Sequence, residues 1–312
     1  MKKIAFLFPG QGSQSVGMGQ DLYKEFDFVR EIFEMAEEIS RINLSKLCFK
    51  GPMEDLTMTV NLQPAVTAVN LACLAAIQKE GVKPLISAGH SLGEYGALKA
   101  AGVVSAPDTF RLVCKRGELM HRESTGHAGA MHAILGLTID KVNDLVQEGQ
   151  NEGIVSVANH NTEKQIVITG SPEAVEKVSS LASQQGAKSI PLRVSGAWHS
   201  ELIKGAQQEF AAFLDQIEFV KPQSSVIFNV TAENASDPEE IKDLMARQLC
   251  RPVKWYDSMC KMIEEEVEVY TEIGPGKILT GLIRKTLPKD NPAKTYSVND
   301  LKGFENFLKE IS

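Results

Sequence analysis

The sequence lacks several features that would settle a function at once. Its 5 cysteines, Cys48, Cys73, Cys114, Cys250 and Cys260, are odd in number, and no pair has CxxC spacing. That pattern excludes a disulfide framework and a cysteine zinc site, and free thiols fit a reducing, cytoplasmic setting. Basic charge is also short: 33 Lys and Arg stand against 40 Asp and Glu, a formal net charge of −7. Proteins that bind nucleic acid show a basic surplus, so that class is set aside. No apolar run is read as long enough to span a membrane. The N-terminal Ile4–Phe8 run is too short for a signal peptide and ends in Pro9-Gly10-Gln11-Gly12, with no small-residue cleavage pattern. There is no internal repeat and no low-complexity tract.

What remains is an ordinary globular composition, 43% apolar over 312 residues, enough for about two domains. Strand and helix signals alternate. Ile4–Phe8 reads as a buried strand followed by a loop rich in Gly and Ser, then helix to about Ile39. Pro64 to Lys79 reads as a buried helix, Leu85 to Ala88 as a strand, and Leu92 to Ala101 and Pro107 to His121 as helices. The rhythm then changes. Ala130–Leu135, Ile154–Ala158, Gln165–Thr169 and Ser189–Val194 read as strands, with helices over Ile139–Gln147 and Pro172–Gln184. That βαββαβ order is the ferredoxin-like unit. It predicts an insertion, residues 127–195, within a mostly parallel α/β core made of 1–126 and 196–312. Beyond it the reading is helix over Glu201–Leu214, strand near Val226–Phe228, helices around Pro238–Leu249 and Tyr256–Glu265, strand over Val267–Thr271, and a final helix pair.

One segment carries nucleophile chemistry. Gly89-His90-Ser91-Leu92-Gly93 fits G-x-S-x-G between an apolar strand and a helix. A serine there stands on a sharp turn with its hydroxyl exposed. The helix start beside it offers unpaired N–H groups and the positive end of the helix dipole, so the Leu92 N–H is a candidate oxyanion donor. The bland alternative is a glycine-rich turn with a capping serine. A serine nucleophile needs a base within hydrogen-bond reach. Of the six histidines, His90 adjoins Ser91, and neighbours on a tight turn point apart. His121, His127, His132 and His160 fall in polar or helical surroundings. His199 follows a strand and enters a loop that a hinge between domains could aim at Ser91. No carboxylate stands out as the third member of a triad.

The sequence around Ser91, Gly-His-Ser-Leu-Gly-Glu-Tyr, and the loop Phe8-Pro9-Gly10-Gln11-Gly12-Ser13-Gln14 resemble the malonyl-CoA:acyl carrier protein transacylases. Arg116-Gly117, Gly129-Ala130-Met131, Ala158-Asn159, Gln165-Ile166-Val167, Val194-Ser195-Gly196-Ala197-Trp198-His199-Ser200, Gln248-Leu249, Pro252-Val253-Lys254-Trp255 and Glu272-Ile273-Gly274-Pro275-Gly276 extend the likeness over nearly the whole chain. The resemblance implies a hydrolase-like α/β core with an inserted ferredoxin-like subdomain. It implies malonyl transfer from malonyl-CoA to acyl carrier protein in fatty acid biosynthesis, with Ser91 as nucleophile, His199 as base and acid, and the main-chain carbonyl at Gln248 orienting His199. It also implies oxyanion donors at Gln11 and Leu92, and Arg116 as partner of the malonyl carboxylate, a charge that cannot be buried alone and that a guanidinium meets with two parallel hydrogen bonds.

Gln63, Asn161 and Gln165 are candidates for polar contacts in the cleft. Arg284 and Lys285 resemble basic positions that dock the acidic carrier. Trp198 stands where malonyl-selective members carry phenylalanine, and a larger ring should exclude branched acyl groups at least as well. The expectation is a monomer that needs no cofactor or metal and binds neither nucleic acid nor membrane. A trans-acting acyltransferase of polyketide synthesis would share every motif. A serine thioesterase or hydrolase would share the elbow, but usually adds an acid and has no use for Arg116.

Overall fold

The computed structural model describes residues 2–194 and 196–311; Ser195, in the motif that closes the insertion, lies outside them. The chain begins with β1 (Ile4–Phe8), buried at every position. A strand buried on both faces has no polar alternation, which is the pattern of a central parallel strand. Next come α1 (Gln20–Glu25), α2 (Asp27–Ser40), α3 (Leu44–Lys50), α4 (Met53–Thr57) and α5 (Thr59–Lys79), then β2 (Ile86–Gly89), α6 (Glu94–Ala100) and α7 (Ala106–Gly126). β3 (Ala130–Leu135), α8 (Ile139–Gly149), β4 (Val155–Thr162), β5 (Gln165–Gly170), α9 (Pro172–Gln184) and β6 (Lys188–Pro191) follow. The chain ends with α10 (Lys204–Leu214), β7 (Ser225–Ile227), α11 (Pro238–Arg247), α12 (Trp255–Glu264), β8 (Val269–Ile273), α13 (Ile278–Thr286), β9 (Lys294–Val298) and α14 (Leu301–Ile311).

Two sheets result. The larger is parallel throughout, in the order β7-β2-β1-β8-β9. The smaller is antiparallel, in the order β4-β5-β3-β6, which is the strand order of a ferredoxin-like βαββαβ unit. The fold is therefore α/β, as expected. Phe8 pairs with Gly89 at the ends of β1 and β2. The loop after β1 and the turn after β2 therefore leave the carboxyl edge of the sheet side by side, the place where open parallel sheets bind ligands.

Some elements differ from the sequence reading. The helix assigned from Pro64 begins at Thr59, with Pro64 inside it. Proline lacks the N–H that would bond the carbonyl four residues back, and burial of Thr59, Leu62 and Gln63 outweighs that loss. This helix is the one described segment with the length and apolarity of a membrane span, contrary to the reading that no such run exists, and 83% of its apolar window is buried in the protein. The final helix pair is separated by β9, an edge strand of the parallel sheet. α7 runs past His121 to Gly126. β6 stops at Pro191, so residues 192–194 form a loop.

Two backbone contacts mark where the sheets join. A Cβ on Gly129, just before β3, would lie 2.4 Å from the Ala197 nitrogen, so the strands entering and leaving the smaller sheet touch at their base. On the far side, His160 N–H donates to the Val253 carbonyl at 2.9 Å and Val253 N–H to the Ala158 carbonyl at 2.8 Å. β4 is thereby stitched to the segment before α12.

Candidate active site

Ser91 opens a single 3-10 turn, Ser91–Gly93, between β2 and α6. Its φ of 51° lies in the left-handed region, which costs a non-glycine residue of the order of 1 kcal/mol or more. The two motif glycines make the turn sterically possible. A Cβ on Gly89 would sit 1.9 Å from the Gly93 carbonyl carbon, and one on Gly93 1.9 Å from the Phe8 carbonyl oxygen. The turn is packed backbone against backbone, on itself and on the end of β1. Asn229 braces it from the other side, accepting from Ser91 N–H at 2.7 Å and donating to the Gly89 carbonyl at 2.7 Å.

Ser91 Oγ lies 2.8 Å from His199 Nε2. The other ring nitrogen, Nδ1, faces two main-chain carbonyls, Gln248 at 2.8 Å and Arg251 at 3.1 Å. Carbonyls only accept, so Nδ1 carries the proton and Nε2 is left as acceptor for the Ser91 hydroxyl. Burial, and then the positive charge of Arg116, push the His199 imidazole down to about 3. At neutral pH it is an uncharged base.

Arg116 comes from α7, where Gly117 lets that helix approach α5 closely: a Cβ there would stand 3.2 Å from the Thr59 carbonyl oxygen. The side chain is buried. Its Nη2 donates to Ser91 Oγ at 3.0 Å and to Gln248 Oε1 at 3.0 Å, while Nε has no partner. The guanidinium lies over the Tyr95 ring, 5.8 Å from its centroid, and among the described residues no carboxylate is paired with it. Burial alone lowers its pKa. A buried cation with an unused donor is chemically suited to meet an anion.

These groups open onto a small cavity of about 100 Å³. Gln11, Leu92, Met120, Asn159, Leu192 and Trp198 line it together with Ser91, Arg116 and His199. Gln11 and Leu92, the two expected oxyanion donors, thus share the cavity wall with Ser91, and Gly10 brings the first loop against the Leu92 nitrogen.

Three expected contacts lie off the cavity wall. The Gln63 amide is buried behind it and donates to Met120 Sδ at 3.1 Å. Asn161 Oδ1 is engaged by His90 Nε2 at 2.8 Å. Gln165 starts β5 opposite Leu135 and Thr162. Arg284 and Lys285 are exposed in the last turn of α13, and Arg284 Nε donates to Thr295 Oγ1 at 2.7 Å. Both charges suit a helix C-terminus.

The sequence reading gave no role to Glu94, Asn229 or Arg251. Glu94 is fully buried, with burial pushing its carboxyl up to about 7 against the opposing pull of Asn229, Gln248 and Arg116. A glutamate one residue past G-x-S-x-G was the available signal. Asn229 and Arg251 come from distant loops and left none.

The acyl transferase domain family matches residues 5–306. The malonyl CoA-acyl carrier protein transacylase of Bacillus subtilis (strain 168) is 42% identical over 313 residues, covering 100% of this chain and 98% of that protein. The chain belongs to the malonyl CoA-acyl carrier protein transacylase family. The Haemophilus influenzae transacylase is 39% identical over 99% of this chain and 100% of its own. Among solved structures, an acyl carrier protein S-malonyltransferase from Vibrio cholerae superposes with a TM-score of 0.93 at 38% identity, covering 98% of this chain and 100% of its own. A malonyl-transacylase in complex with a type II PKS acyl-carrier protein gives 0.94 at 37% identity, covering 99% and 100%. As a member of this transacylase family the chain is an acyltransferase.

Proposed function

We propose that this protein moves a malonyl group from malonyl-CoA to the phosphopantetheine thiol of an acyl carrier protein, through a malonyl ester on Ser91. The observation that carries the proposal is the buried Arg116, 3.0 Å from Ser91 Oγ with Nε unpaired. An acyl group ending in a carboxylate answers that cation, whereas an acetyl group leaves it unanswered.

In the first half-reaction Ser91 Oγ attacks the thioester carbonyl and its proton passes to His199 Nε2. The carbonyl oxygen takes the electron pair and is held by the N–H groups of Gln11 and Leu92. The C–S bond then breaks, and the proton on Nε2 goes to the departing CoA sulfur. The carrier thiol repeats the sequence in reverse. Neutral carbonyls on His199 Nδ1 stabilise an imidazolium less than a carboxylate would, which suits a thiol leaving group that needs little help. Binding also adjusts the base. A malonyl carboxylate on Arg116 cancels the second largest of the causes that depress His199, so His199 becomes a stronger base when the correct acyl group is seated.

The roles divide along the chain, with 1–126 and 196–312 as the catalytic core and 127–195 as a small subdomain whose Met131, Asn159 and Leu192 close the cavity. The carrier docks on the exposed Arg284 and Lys285, and Trp198 limits the acyl group to unbranched chains. The product feeds fatty acid biosynthesis. A polyketide carrier is the second reading, favoured by the solved neighbour bound to one. The test is intact-mass analysis after brief exposure to malonyl-CoA, followed by a fatty acid carrier, a polyketide carrier or water. A malonyl adduct on Ser91 that the fatty acid carrier releases fastest is expected. Faster release by the polyketide carrier favours the second reading. An adduct released as fast by water, or none at all, overturns both.

A further inference from the structure

Among the described residues Glu94 is the one buried carboxylate beside the dyad, and the reaction as derived does not use it. Each of its oxygens meets one donor. Asn229 N–H donates to Oε1 at 2.6 Å and Gln248 Nε2 to Oε2 at 2.5 Å. The same Gln248 Nε2 also donates to the Ser91 carbonyl at 2.9 Å.

This arrangement removes a freedom that an amide otherwise has. With Nε2 claimed by two acceptors, Oε1 must point the opposite way, and there it accepts from Arg116 Nη2 at 3.0 Å. Flipped, the amide would bring two donors together at Arg116 and two acceptors together at Glu94. We infer that Glu94 is a positioning residue: its carboxylate fixes the Gln248 amide so that Oε1 holds the Arg116 guanidinium, and thereby sets how a carboxylate-bearing acyl group is seated over Ser91. This rests on the malonyl reading of Arg116 given above. Glu94 touches neither Ser91 Oγ nor His199 and acts through Gln248.

Glu94→Gln tests the inference, because it keeps the shape but gives one of the two donors another donor to face. Two readouts separate seating from folding. The ratio of malonyl to acetyl acylation of Ser91, by intact mass, reports Arg116. The rate of sulfonylation of Ser91 by phenylmethanesulfonyl fluoride, which carries no carboxylate, reports the Ser91–His199 pair. The expected result is a ratio lowered about tenfold with sulfonylation within about threefold of wild type. Gln248→Leu, which keeps the main-chain carbonyl on His199, should lower the ratio similarly, and the double variant should lower it no further. Should Glu94→Gln be insoluble, Glu94→Asp withdraws the carboxylate by one methylene and carries the same expectation. A ratio within threefold of wild type, losses that multiply in the double variant, or both readouts collapsing together would overturn the inference. Wild type that is sulfonylated yet takes no malonyl group would instead overturn the transferase reading. Protection of Ser91 by free malonate, in wild type but not in Glu94→Gln, then decides the positioning role.

Discussion

Replacing Arg116 with alanine removes a guanidinium that is buried, bonded to Ser91 Oγ and Gln248 Oε1, and free at Nε. Losing one partner of a buried charged pair costs roughly 2–5 kcal/mol. At about 1.4 kcal/mol per factor of ten, malonyl acylation should fall by ~30-fold at least and by up to several thousand-fold. Acetyl acylation should behave differently. It forfeits no carboxylate contact, and loss of the Arg116 charge relieves the second cause of the low His199 pKa, which strengthens the base. The ratio of the two rates is therefore the decisive quantity. It cancels a general loss of active protein. The assay is rapid quench with each acyl-CoA, followed by intact mass, giving kcat/KM for serine acylation. A fall of about 30-fold or more in the malonyl to acetyl ratio is expected, and Arg116→Lys should lie between, since an ammonium keeps the charge without the fork. A ratio unchanged within threefold in Arg116→Ala would refute the assignment of Arg116 as carboxylate receptor.

Other outcomes follow from the same geometry. Ser91→Ala should take no label from radiolabelled malonyl-CoA, and a persistent covalent label on it would remove Ser91 from the mechanism. His199 has a folded-state pKa of about 3 against an ordinary value of 6.5, so its contribution to stability is complete above 6.5 and is lost as pH falls from 6.5 towards 3. Between pH 7 and 5, His199→Gln should therefore lose about 2 kcal/mol less stability than wild type in urea titrations, and equal losses would contradict a buried neutral imidazole. Gly93→Ala should lower Tm by roughly 4 °C or more, because the added carbon meets the Phe8 carbonyl oxygen at 1.9 Å and a cost of about 2 kcal/mol is modest for such a clash. An unchanged Tm would mean that the turn relaxes without cost. Trp198→Phe should leave malonyl preference largely intact, and a strong gain of methylmalonyl transfer would show that the extra size of the indole over a phenyl ring is what excludes branched acyl groups.

The smaller sheet was legible in the sequence because its strands alternate with helices of plain period and are separated by short turns. α9 has the bounds read from Pro172 and Gln184. β9 was not legible. Lys294–Val298 is an edge strand with one fully buried residue, Val298, so it has too little apolar pattern to announce itself. The elbow was clear because a steric requirement, two glycines packed against backbone, has to be written into the residues. The Ser91–His199 approach joins residues 108 positions apart and needed the resemblance to be anticipated. Glu94 illustrates the limit: its neighbours Asn229 and Gln248 are 135 and 154 positions away, so its place directly after G-x-S-x-G was the one local sign that it is not a surface glutamate at the start of a helix.

The two stitches between the sheets bear on how the site breathes. The base at Gly129 and Ala197 closes a loop of about 65 residues, whose closure would cost about 4 kcal/mol as free chain. The folded βαββαβ unit brings those ends together as part of its own structure. The second stitch, between β4 and Val253, is two backbone hydrogen bonds, worth about 1 kcal/mol each. Swinging the smaller sheet away about its base would break that pair, the hydrogen bond between His90 and Asn161 and the apolar packing of Met131, Ala133, Ala158 and Val167 against the main core, so an open form is costly. Ser91 belongs to the larger sheet, whereas Met131, Asn159 and Leu192 belong to the smaller one or its exit. Such a swing would therefore widen the entrance without disturbing the Asn229 brace beneath the serine. The joint thus holds the two walls of the cavity together, Ser91 anchored in one and Met131, Asn159 and Leu192 carried by the other.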